Sequence, residues 1–186
     1  MTSQPAWRRA AEPEPVPAQT LERLPPHDVA AEEAVIAALM LDEDAFARVS
    51  GILKSSDFFR EQHGWVWAAA ERLHQRNETI TIPMLAHELN LMGSLDRMGG
   101  EPALIEIVGR HFTSQGVEAH ARMVLRDATY RRLIQAAGRI AAMAYEGHTD
   151  GDRVISEIVG VLGEVVADYG SRKQGRRVST VRGIRM

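Results

Sequence analysis

Apolar positions in residues 117–169 are spaced for two helices folded against each other. The second arm, 152–169, has two neighbouring aliphatic stripes at helical spacing. Ile155, Val159, Leu162 and Val166 form one; Val154, Ile158, Val161 and Val165 form the other. A helix with a single buried face shows one i, i+3, i+4, i+7 stripe and polar residues elsewhere. Two stripes are more apolar width than one partner helix covers. The first arm, 117–145, with Val124, Leu133, Ile134, Ala137, Ile140 and Ala144, takes one stripe and leaves the other for the domain body or a second copy.

Upstream, the same periodicity predicts a small helical body over residues 24–109. Asp28 is an N-cap for a helix with Val35, Ile36, Leu39 and Met40 inward, and Glu32 and Glu33 complement its positive end. Asp44 is placed to cap a short helix with Phe46, Val49 and Leu53 inward. Ser55, Ser56 and Asp57 then make a turn that delivers Phe58 and Phe59 to the core. A helix over 62–76 has Val66, Ala70 and Leu73 in register and Asn77 as its stop. Thr81 caps the next, with Pro83 in the first turn, Met84, Leu85, Leu89 and Met92 apolar and Gly93 at the end. Gly99 and Gly100 form a turn before a short helix with Ala103, Leu104, Ile107 and Val108. Asp150 is placed to cap the second hairpin arm. No run alternates with period two, so the expected class is all-α: a small helical body followed by a long helical hairpin.

Composition adds two flanks and removes several chemistries. Residues 1–23, with Pro5, Pro13, Pro15 and Pro17, read as a disordered, extended arm. Residues 170–186 read as a basic flexible tail or the start of a linker, with Arg172, Lys173, Arg176 and Arg177 as candidate phosphate contacts. The tail has no aromatic residue to stack on bases. The 45% hydrophobic content suffices for a core, and a net charge of -3 argues against wholesale nucleic-acid binding. With no cysteine, disulfides, thiolate catalysis and cysteine-bound zinc are excluded. No apolar run reaches membrane-span length and no secretory h-region follows the first arginines, so a cytoplasmic protein is expected.

Catalytic motifs are absent. There is no G-x-x-x-x-G-K-[ST] phosphate loop and no H-E-x-x-H, and His87-Glu88 lacks a second histidine one turn on. Glu32 and Glu33 are adjacent on a helix and diverge, so they are not a catalytic pair. His63 near Trp65 and Trp67 reads as a packed core histidine beside aromatics. No catalytic, cofactor-binding or metal residue is assigned.

The run from Leu24-Pro25-Pro26-His27-Asp28 through Glu32-Glu33 to Leu39-Met40-Leu41-Asp42 resembles the opening of the replicative hexameric helicases of the DnaB type. The likeness continues in order through Asp57-Phe58-Phe59, His63, Ile80, Leu89, Gly93-Ser94-Leu95, Gly99-Gly100 and Tyr130-Arg131-Arg132-Leu133-Ile134. It implies a helicase N-terminal domain over residues 24–169 whose hairpins pair between subunits, giving a dimer or a trimer of dimers in a hexamer collar. The expected interface residues are Leu133, Ile134, Ile140, Val154, Ile155, Ile158, Val159, Leu162, Val165 and Val166. Implied partners are primase and helicase loader, with single-stranded DNA reached only through the parent hexamer. In that family ATP and Mg²⁺ belong to a separate C-terminal motor domain, expected to be absent from this chain. A stand-alone regulator or decoy collar subunit is the alternative, and a DNA-binding module using the basic tail a third reading.

Overall fold

A computed structural model describes residues 24–111, 113–146 and 151–179, the last nine by backbone alone. All the regular structure among the described residues is helical, with no strand. Six helices form the body: α1 (Val29–Leu41), α2 (Ala45–Val49), α3 (Glu61–Gln75), α4 (Ile82–Leu91), α5 (Leu95–Met98) and α6 (Gly100–Gly109). Two long helices, α7 (Val117–Glu146) and α8 (Gly151–Ser179), make the hairpin. No described helix is long and apolar enough to cross a membrane.

The body is built around α1. Val35, Ile36, Ala37, Ala38 and Leu39 are all buried, because α3, α6 and α7 each pack on it. Asp28 caps it, its carboxylate accepting the Ala31 N–H at 2.9 Å. Phe46, Val49, Leu53, Val66, Trp67, Leu73, Leu85, Leu89, Leu104 and Ile107 complete the core. Thr81 caps α4 as expected, accepting the Met84 N–H, and Asn77 ends α3 in the left-handed conformation with φ of 56°. At Gly99 and Gly100 φ is 101° and 72°, so the turn between α5 and α6 requires glycine.

Several expectations are corrected. Asp44 does not cap α2: its backbone is already helical (φ −86°, ψ −10°), whereas a capping side chain needs an extended backbone. Asp42 takes over, accepting the Asp44 N–H at 3.0 Å, Arg48 at 2.7 Å and the Ser114 hydroxyl at 3.0 Å. Phe58 is buried, but Phe59 stays half-exposed, stacked on His27 at 4.2 Å between ring centres. The one-turn helix α5 is not among the elements expected from the sequence, being too short to show periodicity. The basic tail was expected to be flexible from Ser171; α8 instead continues to Ser179, through residues rich in the helix formers Arg, Lys and Gln. Asp150, the arm 1–23 and residues 180–186 lie outside the described residues.

Glu32 lies in the first turn of α1, as expected for a complement to its positive end, but it is also buried, at 1% exposure. Its carboxylate accepts the Phe59 and Arg60 backbone N–H groups and meets His63 Nδ1 at 2.8 Å. A buried carboxylate persists only when its oxygens are partnered, and these partners tie α1 to the start of α3. His63 is a buried core histidine, as expected.

Candidate oligomerisation surface

The two hairpin arms run antiparallel: Arg132 pairs with Asp168 and Arg139 with Glu164, so one number falls as the other rises. Half-buried Ile140, Met143, Val154, Ile158, Val161 and Val165, with buried Ala136, line the seam between them. The aliphatics one position further along each arm are exposed. On α8 these are Ile155, Val159, Leu162 and Val166, at 61%, 63%, 45% and 71% exposure, followed by Tyr169 at 54%. On α7 they are Ala137 and Ala141, preceded by Tyr130, Leu133 and Ile134, all exposed.

One helical residue is a rotation of about 100°. Each exposed set is therefore turned about a quarter turn from its own seam, in the same sense along the chain. Because the arms are antiparallel, that common sense brings both sets to the same side of the hairpin. The opposite side holds the ion pairs Arg139–Glu164 and Arg153–Glu157. One side of the hairpin is thus an apolar face contributed by both arms, free of charge from Tyr130 to Tyr145 and from Ile155 to Tyr169; the other is charged and solvated. An exposed apolar face of this kind on a folded domain is a candidate interaction site.

The ten interface residues read from the sequence therefore divide. Leu133, Ile134, Ile155, Val159, Leu162 and Val166 are exposed on this face. Ile140, Val154, Ile158 and Val165 sit in the seam, where a neighbouring chain would not touch them first. Tyr130 and Tyr169 were missed, although they extend the Ile134 and Val166 rows by one helical turn. Arg172, Lys173, Arg176 and Arg177 fall in the last turns of α8, where only the backbone is described.

The hairpin is joined to the body at its base. Arg131 donates to the carbonyls of Pro26 and Asp57 and lies over the Phe59 ring. Burial pushes its guanidinium below its ordinary pKa, against the raising influence of Glu32, Asp127 and Asp57. Arg132 donates to the Asp57 carboxylate, which is fully buried, and pairs with Asp168 at 2.9 Å. These contacts join residues far apart in sequence and left no local pattern to read.

Residues 24–126 match the family model described as DnaB-like helicase N terminal domain. Among curated proteins the chain is 34% identical over 143 residues to the replicative DNA helicase DnaB of Mycobacterium leprae, covering 77% of this chain and 23% of that one. It is also 34% identical over 136 residues to the Geobacillus stearothermophilus helicase of the same name, covering 73% and 30%. The chain thus spans less than a third of the length of either relative. The crystal structure of the N-terminal domain of DnaB helicase from Mycobacterium tuberculosis superposes with a TM-score of 0.73 at 31% identity, over 76% of this chain and 99% of that one. A DnaB-like replicative helicase, described with its interactions with primase, shares the fold at 17% identity and a TM-score of 0.63. The family match covers more than half of the residues and the mycobacterial domain is spanned almost end to end, so the chain belongs to the DnaB-like helicase N-terminal domain family.

Proposed function

We propose that this chain is the oligomerisation and protein-interaction domain of a cytoplasmic replicative DNA helicase. Its hairpin pairs with the hairpin of a second copy, and the resulting dimers assemble as a trimer of dimers into a hexamer collar. The observation behind this reading is the apolar face built from both arms of the hairpin. Such a face meeting its own copy about a two-fold axis buries its aliphatics on both sides and closes the assembly. Primase or a helicase loader is the second class of partner, a role supported by the primase interaction described for the structural relative. ATP hydrolysis and movement on single-stranded DNA then belong to a motor domain elsewhere in the parent protein.

Two experiments test the reading. Sequencing the DNA downstream of codon 186 is expected to show an in-frame phosphate-binding loop of the G-x-x-x-x-G-K-[ST] type. A stop codon at that point would replace the helicase-domain reading with a stand-alone regulator. Titration of the full chain with the primase of its own source organism is expected to give saturable binding. The absence of binding at tens of micromolar, to primase and loader alike, would remove the partner role.

A further inference from the structure

At the base of the hairpin four residues close a ring across three parts of the fold, through their side chains and the Lys54 backbone N–H. Asp57, fully buried at the end of the 3-10 turn Ser55–Asp57, accepts the Lys54 backbone N–H at 2.7 Å and a hydrogen bond from Arg132 of α7. A second nitrogen of Arg132 meets Asp168 of α8 at 2.9 Å. The other Asp168 oxygen returns to Nζ of Lys54 at 3.1 Å. Three ion pairs and one backbone hydrogen bond make the ring, and its two cations match its two carboxylates. Its partners are anchored unequally: Asp57 is buried, whereas Arg132, Asp168 and Lys54 are increasingly open to solvent.

Elsewhere α8 packs mainly on α7. The Lys54 link is a direct polar tie from α8 to the body, and it bypasses α7. Asp168 sits one residue before Tyr169 and two after Val166, at the end of the exposed apolar row. We propose that Asp168 is a positioning residue: by closing this ring it fixes the base of α8 against the body and sets the direction in which the apolar face points. The ring acts within one chain. Its consequence for assembly rests on the oligomerisation reading above, but its mechanical role does not.

The chain has no cysteine, so spin labels can be placed at will. Exposed Glu71 on α3 and exposed Glu157 on α8 are replaced by cysteine, labelled, and diluted with unlabelled chain so that only intramolecular distances are read. Asp168→Asn is expected to shift and widen the pulsed electron–electron distance distribution, and Lys54→Met to widen it less. Arg139→Gln, which removes a hairpin ion pair remote from the body, is expected to leave it unchanged. Circular dichroism establishes that each variant is folded; if Asp168→Asn is not, Lys54→Met decides. Distributions indistinguishable from the parent in every folded ring variant would overturn the proposal. Sedimentation of the unlabelled parent reports self-association separately, so a monomeric parent would count against the oligomerisation reading and leave the distance result standing.

Discussion

Glu32 shows how one side chain can join elements that its sequence neighbourhood does not reveal. Its position in the first turn of α1 suits helix-dipole complementarity, which is all that local sequence offers. Its partners lie 27 to 31 residues downstream, and their approach depends on the completed fold. Glu32→Ala leaves two backbone N–H groups and the His63 ring without their acceptor, and is expected to lower stability by about 3 kcal/mol in urea titrations. Glu88 is buried in a different setting. The Arg76 guanidinium, aided by Arg72 and opposed by burial, holds its carboxyl below the ordinary range. The Arg48 side chain, with the Asp44 N–H and Ser114, does the same for Asp42. A carboxylate whose pKa is lowered by folding stabilises the fold above its unfolded value, near 4, and loses that contribution as pH falls through the folded value. The melting temperature should therefore fall on acidification below about pH 5. Glu88→Gln should start lower at neutral pH and decline less steeply over the same range.

At the scale of elements, the double stripe of α8 was legible in the sequence, but which stripe meets α7 was not. Periodicity gives angles around a helix and not the direction of its neighbours. The structure places Val154, Ile158, Val161 and Val165 in the seam and Ile155, Val159, Leu162 and Val166 outside. Adjacent residues should accordingly respond differently to one substitution. Ile158→Asp puts a charge in the seam and is expected to destabilise the hairpin by about 2 kcal/mol, seen as earlier loss of helical signal. Val159→Asp lies in solvent within one chain and is expected to leave the melting curve of the isolated chain nearly unchanged while abolishing self-association. Most body helices were legible because each has its own apolar row, with stops at Asn77 for α3 and Gly93 for α4. The single turn α5 and the continuation of α8 beyond Tyr169 were not, one for want of length and the other because Gly170 and Gly175 resemble breakers.

For the whole molecule, the all-helical class followed from the helical spacing of apolar positions, and the family from the order of short motifs along residues 24–134. The candidate face followed only in part, because an apolar face of this kind is a property of two helices together. Its outward rows come from both arms, and their common side follows from the antiparallel pairing that Arg132–Asp168 and Arg139–Glu164 report. The most direct test of the central claim is sedimentation equilibrium of the full chain at tens of micromolar, alone and as Val159→Asp. The parent is expected to sediment at twice its 20.6 kDa protomer mass or a higher even multiple, and Val159→Asp at the protomer mass with its helical content intact. A parent that sediments as a folded protomer across the whole concentration range would contradict the account.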